Sequence, residues 1–181
     1  MTDSSGPARM CARRLVAILA SATPFACSAQ VDSHSIRIDR PAFTVVAPEP
    51  WVEVQGAASD QTAGLKRQGE KWAICVVMLA APSSGPGYAQ LVEETFVDDN
   101  YLNFFATQLI AGDGKFISVR RSEIKGRPAV EAVSERDDER ILHGMVMNHG
   151  NTYTASCRTA VVDYEGLEPE FRAIINSLDL K

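Results

Sequence analysis

The residue types best suited to chemistry in this 181-residue chain sit in one short run, His143-Gly144-Met145-Val146-Met147-Asn148-His149. On an extended strand the side chains alternate, so His143, Met145, Met147 and His149 share a face. Imidazole and thioether ligands suit Cu(I). Spacing limits the idea: same-face neighbours stand roughly 6.6 Å apart, and the two histidines roughly 20 Å apart. One ion takes two adjacent ligands from this strand, and another element must supply the rest, with Met78 the best-placed soft candidate. The competing reading is a core-facing strand whose methionines fill gaps under a helix.

Other clusters are less specific. Asp98-Asp99-Asn100 and Asp137-Asp138-Glu139 offer oxygen ligands but lack the spaced, glycine-containing loop of a calcium site, and read as a helix cap and a solvated turn. Lys115, Arg120, Arg121, Lys125 and Arg127 form the one basic stretch. Of these, Arg120, Arg121, Lys125 and Arg127 are the candidates for meeting an acidic partner, against the alternative of a charged, solvated sheet edge. Gly-x-Ser-x-Gly and His-Glu-x-x-His are both missing from the sequence, no spacing singles out a carboxylate pair, and no motif asks for a cofactor. The expectation is therefore a non-enzymatic protein. A formal charge of −5 argues against a nucleic-acid partner, which usually selects a basic face.

Residues 1–29 read as a signal peptide, with an n-region that could equally start at Met10. Arg13 and Arg14 precede an apolar run from Leu15 to Phe25, and Cys27-Ser28-Ala29 supplies small residues at the cleavage site. Eleven residues are too few for a stable membrane anchor, which needs about 20, so no transmembrane segment remains after cleavage. A lipid anchor at Cys27 is disfavoured, because Pro24-Phe25-Ala26 matches the lipidation pattern only at Ala26. Cleavage removes Arg9, Arg13, Arg14 and Asp3, leaving a net charge of −7. It also leaves only Cys75 and Cys157, an even pair in an oxidising compartment, and so one expected disulfide.

The elements that must position these residues follow from periodicity. Residues 30–40 form a polar lead-in with a short extended stretch at Ser35–Ile38, and 41–181 one domain. Phe43–Ala47 and Trp51–Val54 read as strands, and Gly56–Gly69 as a loop of small and polar residues. Trp72–Ala80 is apolar on both faces and reads as a central strand. Tyr88–Ala111 carries helical spacing, with Asp99 or Asn100 able to cap a second helix. Phe116–Ile124 is a strand, and Ala129–Arg136, Ile141–His149 and Thr152–Val162 form an antiparallel three-stranded meander. Leu167, Phe171, Ile174, Ile175 and Leu178 mark a closing helix, with Pro169 expected in its first turn. Strands and helices in blocks imply an α+β fold: an antiparallel sheet with helices packed on both faces.

Phe43–Trp51 (FTVVAPEPW), Lys125–Val130 (KGRPAV), Asn151–Cys157 (NTYTASC) and Phe171–Leu178 (FRAIINSL) together resemble the PsbP-like superfamily. That group shares an α/β/α sandwich with the DcrB family of bacterial envelope proteins and with the Ran-binding nuclear import factor. The resemblance covers most of residues 40–181 and implies binding rather than catalysis, with no functional residue to carry over. The functional expectation is thus a periplasmic or secreted protein acting through contact with another protein, as an immunity or inhibitor protein or an envelope accessory factor. The alternative is a periplasmic copper-binding protein using the His/Met strand.

Overall fold

The computed structural model describes residues 35–55, 59–80, 98, 100, 102, 114–148 and 151–181. The expected signal peptide, including Cys27, and most of the expected helical region over 88–111 lie outside these residues. Among the described residues the chain forms ten strands and one α-helix. Strands β3 (Trp51–Glu53), β4 (Thr62–Arg67), β5 (Ile74–Ala80), β6 (Lys115–Ile124), β7 (Arg127–Arg136), β8 (Glu139–Asn148) and β9 (Asn151–Ala160) make one antiparallel sheet. Its order is β3-β4-β5-β9-β8-β7-β6. Strands β1 (Ile36–Asp39), β2 (Phe43–Ala47) and β10 (Asp179–Leu180) make a second, three-stranded sheet in the order β1-β2-β10.

The expected meander is present and longer by one strand, since β6 joins β7–β9 through a further hairpin. Two of its turns are fixed by backbone chirality. Lys125 and Gly126 both have positive φ (50° and 76°), as do Asp137 and Asp138 (49° and 63°). Two successive positive-φ residues give the type I′ turn, whose twist matches that of the flanking strands.

Helix α1 (Tyr164–Asn176) buries Tyr164, Leu167, Phe171, Ile174 and Ile175 against one face of the large sheet. Facing it are Leu65, Cys75, Val77, Leu142, Val146, Tyr153, Ala155 and Cys157, in one continuous core. Each large aliphatic or aromatic side chain so buried contributes about 2 kcal/mol. Gly144 on β8 permits the close approach: a Cβ there would stand 2.4 Å from Ile175 Cγ2. At the helix end, Ser177 Oγ donates to Val46 O and accepts from Val46 N (both 2.8 Å), tying α1 to β2.

The extended stretch expected at Ser35–Ile38 is strand β1, which pairs with β2. Three expectations need correction. Thr62–Arg67 is strand β4, not loop; Ala63, Gly64 and Leu65 are buried, and the small size of Ala63 and Gly64, not exposure, explains the loop-like composition. Helix α1 starts at Tyr164, so Pro169 lies inside it on the exposed side, where its lost hydrogen bond faces water. Helices on both faces are reduced, among the described residues, to a single helix on one face. The expected cap region contributes only that Asn100 N donates to Asp98 Oδ1 (2.8 Å).

Candidate functional site

Strand register sorts the basic stretch. Arg120 pairs with Glu131 and Ile124 with Arg127, so Arg120 and Arg127 lie on the α1 face of the β6–β7 hairpin. Arg121, opposite Val130, lies on the other face, and exposed Lys125 occupies the turn. The four residues therefore surround one hairpin without converging on a point.

Behind Arg120 sits a carboxylate that sequence reasoning did not single out. Glu131 is only 5% exposed, accepts from Arg120 Nε and Nη2 (3.0 and 2.7 Å), and also accepts from Arg172 Nη1 of α1. Arg172 in turn donates to Glu168 one helical turn earlier (Nε–Oε1 2.9 Å). A buried carboxylate is tolerable when two guanidiniums compensate its charge, and here they lock the hairpin to the helix. Nearby, Arg140 stacks 5.2 Å from the centre of the Tyr164 ring and is bonded to Glu135. Burial, followed by the charge of Glu168, pushes the Tyr164 hydroxyl up to about 12, so it stays protonated. The Glu168-x-x-x-Arg172 spacing was the visible signal of this network; Glu131, alternating with Ala129 and Val133, was the hidden half.

Much of each basic side chain still faces water. Arg120 is 61% and Lys115 75% exposed, and seven of the ten β6 residues are exposed, including Phe116 and Ile117. Arg127 is more committed, donating to Asn148 Oδ1 (2.5 Å) at the far end of β8. Over residues 115–136, Lys115, Arg120, Arg121, Lys125, Arg127 and Arg136 outnumber Glu123, Glu131 and Glu135 by three, in a chain of net −5. The hairpin is thus a positive feature on an acidic protein.

The opposite face carries the His/Met run. His143, Met145 and Met147 do share that face, as the alternation requires, and His149 lies outside the described residues. His143 is bridged on both sides: Nε2 to Ser134 Oγ (3.1 Å) and Nδ1 to Ser156 Oγ (3.0 Å). Burial drives its pKa down to about 4, which keeps the ring neutral and matches a donor–acceptor bridge between hydroxyls. Both nitrogens are therefore occupied. Met147, with Met145 beside it, packs in a small cluster with Val130 and Ala132. Met78, on β5, is 42% exposed and separated from β8 by β9. Among the described residues no cluster of three histidine, cysteine or carboxylate ligands exists.

Cys75 and Cys157 form the disulfide expected from the residue count. They are directly opposed on β5 and β9, with Cα atoms 4.0 Å apart and no exposure. At the far edge, Glu170 of α1 accepts from Trp51 Nε1 (2.7 Å) and from Arg67 Nε and Nη2 (2.9 and 3.2 Å). Trp51 also meets Phe171 edge-on, so the Pro-Trp segment is a clamp on the helix.

A long antiparallel sheet closed by a C-terminal helix, with the Pro-Trp strand clamped beneath that helix, is a PsbP-like architecture. The same fold is found in the cyanobacterial PsbP (CyanoP) of Synechocystis sp. PCC 6803, at 15% identity over 86% of this chain and 97% of that one, with a TM-score of 0.53. It is also found in LpqN, a protein involved in cell envelope biogenesis of Mycobacterium tuberculosis, at 11% identity over 82% of this chain and 91% of that one, with a TM-score of 0.52. No protein-family model matches the chain, and neither does any curated protein sequence.

Proposed function

We infer that this protein is an exported, non-enzymatic accessory factor of the bacterial envelope that works by contact with another protein, as an immunity or inhibitor protein would. The observation that carries the reading is the exposed, net-positive β6–β7 hairpin on an otherwise acidic chain. Its charges are braced from behind by Glu131 and α1, which presents them on a rigid scaffold rather than on a loop. The buried disulfide suits an oxidising compartment, and the leader-like residues 1–29 supply the route there. No helix among the described residues is long and apolar enough to cross a membrane. Envelope work by LpqN, on the same fold, is in keeping with this role.

Leu102 packs on the Val130–Ala132–Met147 cluster, on the face away from α1. The copper reading is not pursued, because both His143 nitrogens already serve as links between β7, β8 and β9.

The test is expression of the full chain with a C-terminal tag, followed by fractionation and capture from the periplasm. The expected result is a chain beginning at Gln30, with Cys75 and Cys157 oxidised, co-eluting with a stoichiometric protein partner. An uncleaved, reduced chain in the cytosol, or a cleaved chain that elutes alone under several salt conditions, overturns it.

A further inference from the structure

We propose that the rim of the large sheet where β5 begins and β9 ends is a second contact surface, taking a basic segment of a protein partner with an arginine stacked on the Trp72 ring. It goes beyond the hairpin reading, because it centres on other strands and carries the opposite sign.

Three segments meet at this rim: residues 68–72 ahead of β5, the β7–β8 turn at Asp137–Asp138, and the 3-10 turn Val161–Asp163 that leads into α1. Each is fastened to a neighbour. Thr159 Oγ1, on β9 and without exposure, donates to the carbonyl of Trp72 (2.7 Å). Arg67 N donates to the carbonyl of Ala73 (2.9 Å), and Val161 N to that of Asp138 (2.9 Å). Lys71 Nζ stands 3.5 Å from Asp163 Oδ1. Side chains carried on segments held this way lose little freedom when a partner arrives.

Val162 is 90% exposed and Trp72 44%, while the other tryptophan, Trp51, is 3% exposed. A lone exposed valine is ordinary on a protein surface. A half-exposed indole, on a loop bonded to the segment bearing that valine, has the composition of an interface centre, where tryptophan is enriched.

Charge selects the guest. Residues 70–72, 136–139 and 158–165 hold six acids and three cations. The cations are answered within the rim: Lys71 pairs with Asp163, Arg158 bonds Glu139 (3.2 Å), and Arg136 stands opposite Glu139 in the hairpin register. Glu70, Asp137, Asp138 and Glu165 are exposed and remain outside these pairs. An exposed indole in an acidic surround favours a guanidinium, which stacks on the ring while neighbouring cations meet the carboxylates. A second copy docking rim to rim would oppose like charges, and an anionic lipid surface would be repelled.

The experiment uses the chain recovered from expression of the full sequence, with its disulfide formed, and two peptides of about ten residues. One alternates arginine and serine around a central leucine; the other carries glutamate in place of arginine. Labelled-peptide anisotropy at low salt is expected to show about a tenfold preference for the arginine peptide. Trp72→Ala is expected to weaken that binding about tenfold, and Trp72→Phe to retain most of it, since a phenyl face still accepts a cation. Asp137→Asn/Asp138→Asn removes two charges while keeping side chains that tolerate the positive φ of the turn, and is expected to weaken binding several-fold. Asp60→Asn/Glu123→Gln removes the same charge at the opposite rim and is expected to leave binding unchanged. All these variants are expected to keep the melting temperature of the parent, as surface substitutions do. Acrylamide is expected to quench the tryptophan emission of the parent and to spare that of Trp72→Ala, which retains only the buried Trp51. Equal binding of the two peptides, undiminished binding by Trp72→Ala, or an equal loss in the two charge variants overturns the proposal. So does parent emission that acrylamide spares, which means that the chain's own residues cover Trp72. A concentration-dependent oligomer that Trp72→Ala abolishes also overturns it, by assigning the rim to a second copy.

Discussion

The two ends of the large sheet are built on opposite plans. At one end, β3 is three residues long, its Trp51 is buried, and Glu170 holds both Trp51 and Arg67 under α1. At the other end, β6 runs for ten residues, seven of them exposed. The short strand turns its largest side chain inward, whereas the long one presents charge to solvent. Both ends are fastened to the same helix through a carboxylate–guanidinium link, Glu170–Arg67 at one and Glu131–Arg172 at the other. The difference is therefore not in how firmly the ends are held but in what each leaves exposed. One end completes the fold, and the other presents a surface.

This comparison can be broken from the middle outward. The disulfide joins β5 to β9, midway between the two ends. Cys75→Ala/Cys157→Ala reopens a loop of about 80 residues, and the chain-entropy model puts the loss at about 4.5 kcal/mol. Denaturant unfolding measures it, and a loss below about 1 kcal/mol would mean that strand pairing alone holds the centre.

Next is acid. Because burial lowers the His143 pKa to about 4, the unfolded chain takes up its proton first, near pH 6.5. Stability is then full above about pH 6.5 and is progressively lost as pH falls toward 4, by as much as about 3 kcal/mol. Urea midpoints at several pH values measure the loss, and His143→Asn is expected to flatten the curve in that window. An unchanged curve in the variant would assign the acid sensitivity to other groups.

The two ends are then compared directly. Glu170→Ala leaves the Trp51 N–H and Arg67 without their acceptor, at a cost of about 2 kcal/mol. Glu123→Gln, on β6, is expected to change stability by no more than about 0.5 kcal/mol, as surface substitutions do. Equal costs at the two ends would erase the distinction drawn between them.

Much of this layout was legible in the residues. The apolar run of β5, the alternation of the meander and the stripe of α1 each follow from patterns of burial that a sequence carries directly. The cysteine pair was legible by counting. Strand β4 was not, because two of its three buried positions are alanine and glycine, which look like turn residues when the neighbouring strand is unknown. Pro169 marked the right helix but not its first turn: it sits in the second, where its exposed position makes the missing hydrogen bond cheap. For the candidate site, the basic stretch was visible as charge. Its division between two faces and its bracing by Glu131 required the β6–β7 register and the placement of α1. The His/Met alternation was read correctly, yet the serines that occupy His143 come from two other strands, nine and thirteen residues away, and no local spacing announces them.

The central claim is that the basic β6–β7 hairpin is the working surface of the molecule. It is tested most directly by parallel capture from native extract with the parent chain and with Lys115→Glu/Lys125→Glu, which turns the hairpin from net positive to net negative. The account predicts a stoichiometric partner on the parent and at least a tenfold loss on the variant, with both chains melting at the same temperature. Undiminished capture by the variant would contradict it.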